Sequence, residues 1–254
     1  MDEGGPAPAR GRRAGGGPAA EDLQIAGLTP MSSVDWPGRL VATVFCQGCP
    51  WLCPYCQNHA IIDPRIPGVV DWGRVEDLMA RRHGLLDGVV FSGGEATRQP
   101  ALAAAARRVR GAGYLVGLHT AGPYPRRLRE LVEAGLVDWV GLDVKALPGG
   151  DYEQVAGRPG AGEKAWASLR VMAEHPEVDC EVRLTVYPDG PADGLAVAAA
   201  VRAMGMPVFA LQQARGLGAP QGFRAGAVGW DDQVRALARD IGALGFESFA
   251  FRPA

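Results

Sequence analysis

The 254 residues hold only five cysteines, and four of them fall within the short stretch from Cys46 to Cys56. That crowding makes poor raw material for a secreted disulfide scaffold and suits a reducing cytoplasm. Charge of one sign is lacking too: 26 Lys and Arg against 28 Asp and Glu leave a net charge of -2. There is no basic face for nucleic acid and no acidic tail. No run approaches the ~18 continuous apolar residues of a membrane span, so no membrane partner is expected. The start, Met1 to about Ala20, is rich in Gly, Pro, Ala and Arg and lacks the apolar centre of a signal peptide. Residues 1–21 are therefore expected to form a disordered extension, and residues 22–254 one folded domain in the cytoplasm. With 47% hydrophobic residues the chain can bury a full core.

What is present centres on Cys49-Pro-Trp-Leu-Cys53-Pro-Tyr-Cys56, which puts three thiols on one tight loop with an aromatic residue beside the last. Three is one fewer than closed cysteine ligation of a four-iron cluster needs, so a cubane held here keeps one iron open. An open position is where catalytic metal sites differ from structural ones. A zinc site is the alternative, with Cys46-Gln-Gly-Cys49 and Cys53-Pro-Tyr-Cys56 as two knuckles, but such knuckles are usually separated by a longer loop than the three residues between Cys49 and Cys53. A disulfide framework is the other.

From Gly38 onward, short β-rich runs alternate with helical patterns. Leu40–Phe45 leads into the cysteine loop, Gly88–Ser92 into Gly93-Gly94-Glu95, Tyr114–Leu118 into His119-Thr120, and Val137–Leu142 into Asp143-Val-Lys145. Cys180–Val186 and Val208–Gln212 follow, the latter entering a glycine-rich loop. Apolar residues recur at helical spacing between them, as in Val75, Leu78 and Met79 or Leu128, Leu131 and Val132. Repeated strand-helix units imply a parallel sheet with right-handed crossovers. Six units and a seventh short strand near Phe249–Phe251 fall short of a complete eight-unit barrel, and predict an open, partial (β/α)6 TIM-like barrel. Each polar motif falls where a strand ends, at the mouth where parallel barrels assemble chemistry. The paired glycines allow close backbone approach to a ligand, or simply make a turn. Asp143 and Lys145 alternate along a strand and point to one face, as a donor and acceptor pair or as a surface ion pair.

The cysteine spacing resembles the signature of the radical S-adenosylmethionine (SAM) enzymes. Ser33-Val-Asp-Trp-Pro-Gly38, Phe45-Cys-Gln-Gly-Cys49, Cys53-Pro-Tyr-Cys-Gln-Asn58, Ser92-Gly-Gly-Glu95, Leu136-Val-Asp-Trp139 and Asp143-Val-Lys145 resemble the anaerobic ribonucleoside-triphosphate reductase activating proteins. These are a branch of the glycyl-radical-enzyme activating enzymes, and the resemblance runs from about Leu23 to the C-terminus. It implies a radical SAM domain with one [4Fe-4S] cluster on Cys49, Cys53 and Cys56. It implies SAM held by Tyr55, Gly93, Gly94, Glu95, Asp143, Lys145 and Arg183, with Tyr55 near the adenine and Gly93 to Glu95 at the methionine amino group. It further implies reductive cleavage of SAM to a 5′-deoxyadenosyl radical, a glycyl radical enzyme as partner, and a flavodoxin- or ferredoxin-type electron donor. A radical SAM enzyme modifying a small molecule or peptide keeps the same site residues, and a non-catalytic zinc or iron-sulfur module is the alternative from another class.

Three positions depart from the pattern: Cys46, Ala96 where proline is usual after the glutamate, and His119-Thr-Ala-Gly122 where Asp-Thr-Asn-Gly is usual. The last removes a carboxylate, and with it the basis for a bound monovalent cation. His119 is expected to be a hydrogen-bonded structural residue, and Cys180 a small buried hydrophobe.

Overall fold

The computed structural model describes residues 17–254. Of the extension expected over 1–21, residues 1–16 lie outside the described residues; Ala20–Asp22 form a short 3-10 turn with Ala20 buried. Eight strands form one sheet in sequence order: β1 (Ile25–Ser32), β2 (Val41–Cys46), β3 (Gly88–Gly93), β4 (Leu115–Thr120), β5 (Trp139–Asp143), β6 (Asp179–Val186), β7 (Val208–Gln213) and β8 (Ser248–Arg252). β1 is antiparallel to β2, and β2 through β8 are all parallel. The crossovers carry α1 (Trp72–Arg81), α2 (Leu102–Gly111), α3 (Pro125–Glu133), α4 (Gly150–Ala156) with α5 (Ala161–Glu174), α6 (Gly194–Ala203) and α7 (Trp230–Gly242).

A parallel sheet whose spatial order equals its sequence order, with every crossover right-handed, puts all its helices on one face. The other face must then curl on itself to leave water. The result is the expected six strand-helix units and a seventh parallel strand, open because β1 and β8 are edges that do not pair. The antiparallel β1 adds to the expectation. Gly27 and Pro30 interrupt its alternation, and the ladder shifts register between Ile25 and Gly27 and between Thr29 and Ser32, as an edge strand carrying proline does.

The two faces of the sheet bury different chemistry. Ala42, Val44 and Cys46 of β2, Val89 and Phe91 of β3, and Val182 and Leu184 of β6 join the helices in the main core. The inner face is polar toward the C-terminal mouth and aromatic at the other end. There Trp36, from the β1–β2 loop, stacks on Trp139 with ring centroids 5.4 Å apart and clusters with Val41 and Val90. Gly117 makes room for it, since a Cβ there would stand 2.8 Å from the Trp36 ring. The Ser33–Gly38 motif is thus a plug at the N-terminal end of the barrel, fastened by Thr43 Oγ1 donating to Asp35 Oδ2 at 2.6 Å. Among the described residues no helix is long and apolar enough to cross a membrane.

Candidate active site

The loop after β2 is held from three sides. Gly48 N and Cys49 N donate to the carbonyls of Ile61 and Ile62 at 2.8 and 2.9 Å, and Leu52 N donates to Ala156 O at the end of α4 at 2.9 Å. Arg158 Nε donates to Pro50 O at 3.0 Å, and Asn58 Nδ2 reaches across to Gly93 O at 2.8 Å. The pair Gly93-Gly94 is explained by this loop. A Cβ on Gly93, which has φ +105, would stand 2.3 Å from Cys46 N, and a Cβ on Gly94 would stand 2.5 Å from Gly48 O. Only glycine lets the end of β3 lie this close to the cysteine loop.

Cys49, Cys53 and Cys56 are half-buried and free, whereas Cys46 is fully buried. Cys46 shares the β2 face that Ala42 and Val44 bury under the helices, away from the barrel mouth. Burial, with Glu95 nearby, pushes the Cys49 thiol up to about 12, and burial raises Cys53 and Cys56 as well. Thiolates therefore need a cationic ligand to form here, as metal binding provides. Three free thiols on one loop match in number and kind the three-cysteine ligation of a cluster.

Beside Cys53 lies a buried cation. Lys145, 6% exposed, places Nζ 3.3 Å from the Tyr55 hydroxyl, 3.9 Å from Asp143 Oδ2 and 5.4 Å from the centre of the Tyr55 ring. Burial disfavours its charge; Cys53 and Tyr55 oppose that only once ionised, whereas the Asp143 carboxylate 3.9 Å away opposes it throughout. Asp143 remains partly exposed, so this trio offers a ligand one cation and one open carboxylate. Tyr55 packs on Tyr187 and Tyr187 on Phe223, with centroids 5.2 and 5.8 Å apart. The glycine-rich loop after β7 closes on this edge: a Cβ on Gly218 would stand 2.3 Å from Gln57 O. A cavity of about 350 Å³ is lined by Lys145, Thr185, Tyr187, Asp189, Trp230 and Leu237 among others.

Two residues expected at a ligand are occupied by protein. The Glu95 carboxylate, 1% exposed, accepts from Thr97 N at 3.1 Å, Thr97 Oγ1 at 2.5 Å, Thr120 Oγ1 at 2.7 Å and Ala121 N at 3.0 Å. Burial raises its pKa against the pull of these bonds. It ties the end of β3 to the end of β4; with Gly94 N and Glu95 N donating to Cys46 O and Gly48 O at 2.9 and 3.0 Å, the main-chain groups left for a ligand in this segment are carbonyls. Arg183 leans back over Gly141, where a Cβ would meet its Cζ at 2.6 Å. Its Nε donates to Glu181 Oε1 at 2.7 Å, and Arg252 grips the same carboxylate through Oε1 and Oε2 at 2.9 and 2.7 Å. Burial would raise Glu181, but the arginines more than offset it and hold it low.

His119 sits in this inner layer. Its Nε2 is 2.6 Å from Asp35 O, a carbonyl that can only accept, so Nε2 carries the proton. Nδ1 then accepts from Ser92 Oγ at 3.2 Å. Burial and the Arg183 guanidinium, 3.3 Å from Nε2, keep the ring well below its ordinary pKa and neutral. The expected structural role is what the hydrogen bonds describe: His119 ties the Trp36 plug to the residue preceding Gly93. Sequence reasoning quoted Asn58 only within a motif and passed over Tyr152, Arg158 and Tyr187. Of these, only Asn58 had a local signal, its place two residues after Cys56.

Residues 43–194 match the sequence model of the radical SAM superfamily. A Methanocaldococcus jannaschii protein named as a glycyl-radical enzyme activating enzyme is 33% identical over 123 residues, 48% of this chain and 50% of its own length. The chain thus spans about half the length of the curated relative it matches. In fold it is similar to Streptococcus suis SuiB. The SuiB complex with the precursor peptide SuiA superposes with a TM-score of 0.62 at 14% identity, covering 84% of this chain and 48% of SuiB. The SAM-bound form gives 0.59 at 13% identity, covering 82% and 48%. TYW1 with a lysine-pyruvate adduct gives 0.57 at 13% identity, covering 80% of this chain and 73% of TYW1.

Proposed function

This chain belongs to the radical SAM superfamily, and from that premise we propose that it is a glycyl-radical-enzyme activating enzyme. In this reading residues 22–254 are one radical SAM domain, and Cys49, Cys53 and Cys56 hold a [4Fe-4S] cluster. A reduced cluster there would supply one electron to SAM, whose C5′–S bond would break to give methionine and a 5′-deoxyadenosyl radical that takes hydrogen from a glycine of the partner. The protein's share is to bind, orient and exclude water. Lys145 neutralises the SAM carboxylate, Asp143 accepts from a ribose hydroxyl, and Tyr55 covers the adenine side. The main chain of Gly93 to Glu95 takes the methionine amino group, held in register by the Glu95 tie. Arg183 acts from one layer below, by fixing Glu181 and the inner face against which Asp143 stands.

The observation that carries the reading is the pairing of three half-buried free thiols with a buried Lys145 and an open Asp143 at one barrel mouth. A glycyl radical enzyme as partner is read from the named relative; an anaerobic ribonucleoside-triphosphate reductase in particular, with a flavodoxin or ferredoxin as electron donor, is read from the motif resemblance alone. A reducing compartment, the cytoplasm, belongs to the reading because three free thiols must stay reduced. The cavity beside Lys145 favours one second reading, a radical SAM enzyme acting on a small molecule or peptide. Reduced protein, SAM and the reductase are to be mixed without oxygen and examined by electron paramagnetic resonance. A glycine-centred radical on the reductase supports the activating enzyme. SAM consumption with no such radical, and modification of a small molecule or peptide instead, selects the second reading.

A further inference from the structure

The cavity of about 350 Å³ that Lys145 lines has three further kinds of wall. Val186 and Leu237 are apolar, Tyr187 and Trp230 are aromatic, and Asp189 brings a carboxylate. Lys145 is engaged with its own neighbours, its Nζ lying 3.3 Å from the Tyr55 hydroxyl and 3.9 Å from Asp143 Oδ2. Two other acids nearby in the chain are taken up by the fold: Asp193 Oδ1 accepts from Ala196 N at 3.0 Å, and Asp231 Oδ1 from Gln213 Nε2 at 2.8 Å. Asp189 is different. It is exposed, and among the described residues its carboxylate has no hydrogen-bond or ion-pair partner. It also stands at φ +61, the one non-glycine residue with positive φ among those described, a conformation that Asp and Asn tolerate better than other side chains. The turn that holds it there is closed by Gly190 N donating to Tyr187 O at 3.1 Å.

An open carboxylate, two aromatic rings and an apolar wall suit one kind of occupant, a long cationic side chain. Its stem lies on the apolar wall, its head meets the carboxylate, and the ring faces attract the charge. The Lys145 ammonium repels such a head and Asp189 draws it, so the head belongs at the Asp189 end and the stem toward Lys145. We infer, resting on the glycyl-radical reading above, that this cavity is a specificity pocket for the partner: it takes an arginine or lysine side chain from the segment that carries the reacting glycine. Lys145 belongs both to this cavity and to the SAM site of that reading, so the cationic residue stands close in sequence to the glycine.

Binding of labelled peptides to the full, anaerobically reconstituted chain tests this by fluorescence anisotropy. The peptides share one glycine-centred sequence and carry arginine, norleucine or glutamate within two positions of the glycine. Arginine should bind about tenfold tighter than norleucine, of which an exposed ion pair supplies up to about fivefold and the rings the rest, and glutamate should bind most weakly. Asp189→Asn, which keeps a side chain tolerated at positive φ, should cut the arginine preference to about threefold or less. Asp189→Gly, free of strain there, should do the same. SAM should leave the preference in place. Equal binding of the arginine and norleucine peptides, no binding of either, a preference that survives both Asp189 variants, or displacement of the arginine peptide by SAM overturns the inference. If a glycine-centred radical still forms on the whole reductase in that case, the pocket alone has failed. An arginine preference with no radical on the reductase overturns the reading on which the inference rests, and with it the glycine segment as occupant.

Discussion

Gly94→Ala isolates the contact between the β3 turn and the cysteine loop. Gly94 does not have the positive φ of Gly93, so alanine there meets no backbone strain. The whole cost is steric. The new Cβ would stand 2.5 Å from Gly48 O and 3.1 Å from Cys49 N, where ordinary contact begins at 3.4 Å. The obstacle is backbone, with no side chain to swing aside, so the loop must retreat by about 0.9 Å at Gly48. That retreat pulls on the Glu95 N to Gly48 O bond of 3.0 Å, and on the bonds from Gly48 N and Cys49 N to Ile61 and Ile62. Overpacking of this kind costs about 1–3 kcal/mol, too little to unfold a domain of this size. The displacement falls on the first of the three cysteines, however. The expected result is a folded protein, with its free energy of unfolding in urea lowered by that amount, that takes up well under half the iron of the parent on anaerobic reconstitution. Full iron at unchanged stability would refute the claim that the paired glycines exist to seat the cysteine loop.

Three further outcomes follow from the same geometry. Cys46→Ala should keep the iron that Cys53→Ala loses, as measured by iron analysis, because Cys46 lies on the helix side of β2. Lys145→Met, which keeps the buried stem and removes the charge, should weaken SAM binding at least tenfold in anaerobic equilibrium dialysis, since a charge-assisted bond contributes about 1.5–3 kcal/mol. Urea midpoints should fall as the pH drops below 6.5: the unfolded chain then protonates His119 while the folded chain, its pKa held lower, does not, costing up to about 1.4 kcal/mol per pH unit. His119→Gln should flatten that slope. Glu181 acts in a lower window, its stabilisation being present above 4.5 and lost as pH falls through its depressed folded value.

The parallel strands were legible because they are apolar runs ending in polar motifs, and their order followed from strand-helix alternation. Helices with one apolar stripe, such as α3 with Leu128, Leu131 and Val132 buried, were equally plain. The alanine-rich α2 and α6 were not, since alanine marks no face. β1 was hidden because Gly27 and Pro30 break its alternation. The grouping of Tyr55, Asp143 and Lys145 with the three cysteines was readable from motif and strand-end logic. What local sequence does not carry is which polar residues the fold uses for itself. Glu95 lies in a ligand-like motif, yet its carboxylate is filled by Thr97, Thr120 and Ala121. The state of Arg183 depends on Glu181 beside it and on Arg252 from the last strand. Trp36 finds its partner in Trp139, a hundred residues away.

A SAM-cleaving centre built on three thiols and Lys145 is tested most directly by the 5′-deoxyadenosine formed from SAM by anaerobically reconstituted, dithionite-reduced protein. The parent protein should form 5′-deoxyadenosine and methionine, and Cys49→Ala, Cys53→Ala and Cys56→Ala should form none. A parent that holds four irons and leaves SAM intact, or a Cys53→Ala variant that cleaves it as fast as the parent, would contradict it.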